Sequence, residues 1–346
     1  MKTILVTGGA GFIGSNFVRY MLKKYPDYKI IVLDLLTYAG NPDNLPQEYI
    51  DPSDGQQGRL VFWYGNVTNG ELVGRLVGQS DMVVHFAAES HVTRSIYDNK
   101  VFFETDVMGT QVVANAVLSH RDRIERFIHI STSEVYGTAE SDLMDEDHPL
   151  KPMSPYASAK AGADRLVFSY WATYQIPAVI IRPFNNYGPY QHLEKVVPRF
   201  VTACLLGEPL TVHGDGQAKR DWLFVEDHCR ALDSALHSNV SRLQGEVINL
   251  GSGISYSVLE IAEKIKAHMN SDSEIKLVGD RPGQVFRHTS STAKAKELLN
   301  WEISTRFDEG LDKTIQWYRD NSKWWDKTLW LRKVPIRTAS GKIEFH

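Results

Sequence analysis

Ile4-Leu5-Val6-Thr7-Gly8-Gly9-Ala10-Gly11-Phe12-Ile13-Gly14 carries an apolar strand into a glycine loop, and an amphipathic helical pattern follows over 14–25. Gly8, Gly11 and Gly14 hold the three key positions, with Phe12 and Ile13 between them. A tight turn, close approach of backbone to a pyrophosphate, and close helix–strand packing each require a residue without Cβ. The helix start then offers unpaired N–H groups and a positive dipole end to phosphates. Asp34 closes the next apolar run, over 30–34, about twenty residues past the loop, the spacing of a ribose-binding carboxylate. Such a carboxylate accepts from the adenosine 2′-hydroxyl and repels a 2′-phosphate, so the expected cofactor is NAD rather than NADP.

Working outward, apolar runs at 60–64, 82–86, 127–131 and 178–182 alternate with helical patterns at 70–77, 100–120 and 156–175. Runs apolar throughout read as strands covered on both faces, which predicts a Rossmann-type α/β fold, a doubly wound parallel sheet. Such a sheet binds ligands beyond the carboxyl ends of its strands. After residue 187 the pattern loosens into helical stretches at 195–206, 227–237, 257–269, 293–299 and 307–320, with loops such as His213–Gly216 and Asp280–Gly283. The expected division is an NAD-binding domain of 1–187 plus about 220–252, and a smaller mixed α/β substrate domain of 188–219 and 253–346. Trp324, Trp325 and Trp330 mark a tail suited to packing over the body or a partner.

The 346 residues are about twice a single-domain length. Lys plus Arg is 38 against 42 Asp plus Glu, a net charge of −4, which argues against a nucleic-acid partner. Only Cys204 and Cys229 are present, outside any CxxC or Cys/His cluster, so no disulfide framework and no zinc site are expected. No apolar run approaches the ~20 residues of a membrane span. The N-terminus shows no signal-peptide pattern, and the expected location is the cytoplasm. Asp142, Asp145, Glu146 and Asp147 read as a solvated acidic loop, and His85 and His228 as packing or capping residues.

The run 127–131 leads to Thr132-Ser133-Glu134, and Tyr156-Ala157-Ser158-Ala159-Lys160 opens a later helix. Tyr156 and Lys160, four apart, share a helix face. A neighbouring ammonium and a positively charged nicotinamide both stabilise phenolate, lowering a tyrosine from about 10. Tyr156 then becomes a base able to deprotonate an alcohol while hydride leaves its carbon.

With these residues in view, the chain resembles extended short-chain dehydrogenases/reductases acting on nucleotide sugars. It is most similar to the dTDP-glucose 4,6-dehydratase branch, over nearly its whole length. The matching strings are TGGAGFIGSNF, HFAAESHV, YASAK, NNYGPYQ with EKVVP, RDWLFVEDHCRA and DRPG. The resemblance implies a tightly held NAD, transient oxidation of the sugar at C4, and return of the hydride. It implies that Thr132 bonds the 4-hydroxyl, Tyr156 is the base, Lys160 holds the nicotinamide ribose, and Glu134 removes the C5 proton. It further implies that Ala87 and Ala88 form a wall against the cofactor, with Asn66 and Val67 near adenine. The resemblance also implies that Asn186, Arg220 and Arg287 contact the diphosphate and Asn249 the nucleotide, with Ser90, His91 and Lys195 completing the substrate site. A homodimer built on 100–120 and 156–175 is also implied.

The pattern breaks where the dehydratases read Thr-Asp-Glu: here Ser133 replaces the Asp that protonates the departing 6-hydroxyl. Three further departures are Thr93 in His91-Val92-Thr93-Arg94, Asn66 for an Asp, and Asp106 for an Asn. After DRPG, Gln284-Val285-Phe286-Arg287-His288 stands where His-Asp-Arg-Arg-Tyr is usual. Three other outcomes of a 4-keto sugar therefore stay open: decarboxylation as in the UDP-glucuronate decarboxylases, 5,6-ene formation, and 4-epimerisation. A non-catalytic NAD-binding protein is the fourth alternative, opposed by the presence of Thr132, Glu134, Tyr156 and Lys160 together.

Overall fold

In the computed structural model, residues 1–50, 58–279, 285–337 and 342–345 are described; Asp280–Gln284, which includes the DRPG string, lies outside them. Seven parallel strands form the main sheet: β1 (Lys2–Thr7), β2 (Tyr28–Asp34), β3 (Leu60–Tyr64), β4 (Met82–His85), β5 (Arg126–Ile130), β6 (Ala178–Pro183) and β10 (Val247–Leu250). Between β6 and β10 the chain forms β7 (Asn185–Tyr187), β8 (Leu210–His213) and β9 (Lys219–Phe224) of two smaller sheets, which β11 (Ser255–Ser257) and β12 (Ile275–Val278) complete. The main order is β10-β6-β5-β4-β1-β2-β3. β1 pairs with β2 on one side and β4 on the other, so the winding reverses at β1 and opens a crevice beyond its carboxyl end.

Strand apolarity follows from double coverage. Ile4 and Val6 enter one core with Phe17, Val18 and Met21 of the helix Phe12–Lys24. Leu5 between them enters the opposite core with Val113 and Val117 of the helix Thr110–Ser119 and Val167 of Pro155–Tyr174. Trp63 and Tyr64 are exposed despite their strand, because β3 is the sheet edge.

The smaller unit has its own core, in which Val197, Phe200 and Val201 pack with Val212, Trp222, Ile261, Ile265, Leu311 and Ile315. Trp325 of the tail belongs to it. The chain returns to the main sheet twice. The helix Val225–His237 buries Leu232 and Leu236 in the first core, followed by β10 at the sheet edge. Residues 293–301, expected in the smaller unit, also depart to the main one: Ala295, Leu299 and Trp301 are part of the first core.

Candidate active site

One cleft of about 390 Å³ runs from the glycine loop, past the ends of β4 and β5, to the smaller unit. Its first section is backbone. Gly8 has φ +71° and its N–H donates to the Leu33 carbonyl at 2.8 Å. A Cβ there would stand 2.6 Å from the Ala87 nitrogen, and one on Gly14 would stand 2.3 Å from the Gly8 carbonyl oxygen. Only glycine keeps this cradle open. The helix beginning at Phe12 has no side-chain cap at Gly11, leaving its first-turn donors for a ligand. Asp34 is fixed by the N–H groups of Ala10 (2.9 Å) and Leu36 (2.8 Å). Burial pushes its carboxyl up while those two donors pull it down. Phe12, Ile13, Asn66, Val67, Ala87 and Ala88 complete the walls. This donor set fits a dinucleotide.

Next along the cleft lie Thr132, Ser133 and Glu134, on a single helical turn that leaves β5. Thr132 caps that turn, its Oγ1 accepting from the Glu134 N–H at 3.2 Å. Tyr156 and Lys160 come from the first turns of the helix Pro155–Tyr174, which Ser154 caps by accepting from the Ala157 N–H. The Lys160 ammonium donates to the Ile130 carbonyl at 2.6 Å, and burial lowers its pKa.

Tyr156 departs from the expected electrostatics. Burial first, then the Asp106 and Glu134 carboxylates, push its phenol above the ordinary value, and only the Thr132 hydroxyl opposes them. The Lys160 ammonium donates to the Ile130 carbonyl and is not among the groups that set this shift. Asp106 sits in a π-helical turn, Phe103–Gly109, that interrupts the helix expected over 100–120. Its Oδ1 accepts from the Glu89 N–H at 2.8 Å and its Oδ2 is buried without a partner. Burial pushes its carboxyl up to about 7 while the Lys160 charge pulls the other way.

The far end is lined by Ser90, His91, Asn186, Lys195 and Arg220. His91 caps the helix Val92–Tyr97 through its Nδ1. The Lys195 ammonium donates to the Ser90 carbonyl at 3.1 Å. The Asn186 amide is engaged at both atoms, accepting from His228 Nδ1 (3.0 Å) and donating to the Phe184 carbonyl (3.0 Å). His85 likewise spends both ring nitrogens internally, on Thr7 and Thr110.

Two expected substrate residues stand elsewhere. Asn249 is fully buried in β10, where it accepts from the Tyr136 hydroxyl at 2.7 Å and donates to the Met144 carbonyl at 3.1 Å. Arg287 turns to the surface and binds Asp142 (3.0 Å) and the Ser141 carbonyl (2.7 Å). Neither lines the cleft. Conversely, Tyr38, Gln191 and Glu194 line it without having been singled out in the sequence. Buried Glu194 anchors Arg94 at 3.1 Å, an ion pair between segments a hundred residues apart that no local motif marks. Among the described residues no group of three or more His, Cys, Asp or Glu is placed to hold a metal.

Residues 5–314 match the GDP-mannose 4,6 dehydratase family. The chain belongs to that family. It is 46% identical, over 91% of its length and 98% of the relative's, to the low-salt glycan biosynthesis protein Agl12 of Haloferax volcanii. It is 42% identical, over 93% of the chain and 94% of the relative, to a dTDP-glucose 4,6-dehydratase of Streptomyces niveus. In structure it is similar to the dTDP-glucose 4,6-dehydratase DesIV of Streptomyces venezuelae, solved with NAD bound. That likeness has a TM-score of 0.86 and 41% identity, covering 94% of this chain and 99% of the other. The chain is thus an NAD-dependent nucleotide-sugar 4,6-dehydratase, a hydro-lyase of the extended short-chain dehydrogenase/reductase type.

Proposed function

We propose that the protein dehydrates dTDP-glucose to its 4-keto-6-deoxy product, with Thr132, Glu134, Tyr156 and Lys160 at the reacting carbons. The observation that carries this reading is the convergence of those four side chains in the cleft that begins at the glycine loop. The nucleotide assignment draws on the Streptomyces relatives. The glycine loop and Asp34 would hold NAD, which would supply the acceptor and donor of the transient hydride and, oxidised, a positive charge.

Thr132 holds the 4-oxygen and Tyr156 accepts the 4-hydroxyl proton, Lys160 fixing the turn beneath it. A C4 ketone acidifies C5–H, and the Glu134 carboxylate takes that proton. Arg220 and Lys195 bring positive charge to the diphosphate at the far end, the guanidinium suiting phosphate by its planar donor pair.

The same reading includes a homodimer, supported by the exposed apolar Val101, Phe103 and Met108 along 100–109. It also includes a cytoplasmic location, in keeping with the free thiols Cys204 and Cys229. No helix among the described residues is long and apolar enough to cross a membrane.

The reading is tested by product mass and a 4-keto signal after incubation with dTDP-glucose, UDP-glucose, UDP-N-acetylglucosamine, GDP-mannose, CDP-glucose and UDP-glucuronate. Loss of water with ketone formation on the dTDP sugar is expected. Loss of CO₂ from the glucuronate alone, or an unchanged mass with inverted stereochemistry, contradicts it.

A further inference from the structure

Two departures from the dehydratase strings, Ser133 and His288, lie 155 residues apart in sequence and meet in space: Ser133 Oγ is 3.3 Å from His288 Nδ1. His288 Nε2 lies 2.6 Å from the Gly137 carbonyl oxygen. A carbonyl only accepts, so Nε2 carries the hydrogen, and in the neutral ring Nδ1 accepts from the Ser133 hydroxyl. Ser133 lines the cleft, while His288 is fully buried behind it. The ring is thereby oriented by the backbone and linked to the cleft through the serine.

We propose that Ser133 and His288 together replace the missing carboxylic acid, delivering a proton to the oxygen that leaves C6. Ser133 is the catalytic contact, and His288 is a positioning and proton-supplying residue acting through it. The proposal rests on the 4,6-dehydratase reading. A serine hydroxyl by itself is too weak an acid to release hydroxide as water near neutral pH; a protonated imidazole behind it removes that difficulty.

The step balances without a redox partner. His288, protonated from the cleft through Ser133, donates through Nδ1 to Ser133 Oγ, whose own hydrogen then points into the cleft. The C5–H bond breaks and Glu134 takes the proton, and the C6–O bond breaks with its electron pair on oxygen. That oxygen takes the Ser133 hydrogen, Ser133 takes the Nδ1 hydrogen, and water and a neutral imidazole remain. The groups facing the ring set its titration. Burial lowers its pKa most, Arg220 and His148 lower it further, and the Glu134 carboxylate and Gly137 carbonyl raise it. The protonated ring is therefore favoured on the acid side of the ordinary histidine range.

The test follows C5 deuterium exchange and water release separately, with dTDP-glucose in D₂O, for the wild type, His288→Gln, Ser133→Asp and the double variant. His288→Gln is expected to lower kcat for water release roughly a hundredfold, with KM little changed and C5 exchange retained. The acid-side rise of wild-type kcat should vanish in that variant. Ser133→Asp should restore water release in the His288→Gln background, because the new carboxyl is its own acid. Wild-type water release by His288→Gln, or a double variant no faster than His288→Gln, overturns the pair. If His288→Gln does not fold, Ser133→Ala carries the same expectations, and unimpaired water release by it also overturns the pair. A wild type that neither exchanges C5 hydrogen nor releases water fails earlier, and sinks the dehydratase reading along with the pair.

Discussion

The Lys160 ammonium is anchored 2.6 Å from the Ile130 carbonyl, at the last residue of β5 and one turn of helix from Tyr156. This bond ties the helix bearing Tyr156 to the strand end bearing Thr132 and Glu134. The lysine therefore holds the geometry of the site, while the Tyr156 phenol, pushed up by burial and by Asp106, needs further positive charge to ionise.

Tyr156→Phe removes the proposed proton acceptor and nearly conserves side-chain volume. It should lower kcat by roughly a hundredfold to ten-thousandfold, with a thermal midpoint close to the wild type. Lys160→Ala should be equally inactive but less stable, because the Ile130 carbonyl loses its donor in a buried setting. Steady-state kinetics with thermal melts distinguishes the two, and near-normal turnover by Tyr156→Phe contradicts the assigned base.

Asp106 makes stability depend on pH. Its folded carboxyl binds a proton up to about 7, against about 4 in an unfolded chain. The folded state thus holds the proton more tightly, and this contribution is full below about 4 and lost as pH rises through 7. Asp106→Asn keeps the acceptor for the Glu89 N–H and removes the titration. Its thermal midpoint should gain on the wild type between pH 5 and pH 8; a gap that stays constant contradicts the burial effect.

Asn249 and Arg220 separate structural from binding roles. Asn249→Ala strands the Tyr136 hydroxyl and the Met144 carbonyl and should cost about 1–3 kcal/mol of stability, leaving KM for the nucleotide sugar unchanged. Arg220→Ala should raise that KM by roughly ten- to a hundredfold, the worth of a charged hydrogen bond. Arg287→Ala loses a surface ion pair with Asp142 and should change stability by less than about 1 kcal/mol. A KM defect in the Asn249 or Arg287 variant contradicts the placement.

The glycine cradle sets cofactor binding. Gly14→Ala drives a Cβ to 2.3 Å from the Gly8 carbonyl and should reduce the NAD content of the purified protein, read by absorbance after denaturation. Asp34 should make NADP bind at least about tenfold more weakly than NAD, since one like-charge contact readily costs more than 1.4 kcal/mol. Equal affinity contradicts that role.

Most of the fold was legible because double coverage leaves strand segments such as Ile4–Val6 and Met82–Val84 apolar throughout, and because glycine alone tolerates the contacts at Gly8 and Gly14. Tyr156 and Lys160 were legible through helical spacing. What sequence could not give was long-range registration. Asn249 looks like a ligand residue until Tyr136 and Met144 are seen to close over it. Residues 293–301 look like part of the smaller unit until Leu299 and Trp301 are found in the first core. Ser133 and His288 each read as a separate departure until the chain brings them together.

The most direct measurement uses dTDP-glucose carrying deuterium at C4, in ordinary water, with the label located in the product by NMR. Transient oxidation at C4 with return of the same hydrogen predicts deuterium in the new C6 methyl group of a 4-keto product. Deuterium still at C4, or none in the product, contradicts a 4,6-dehydratase.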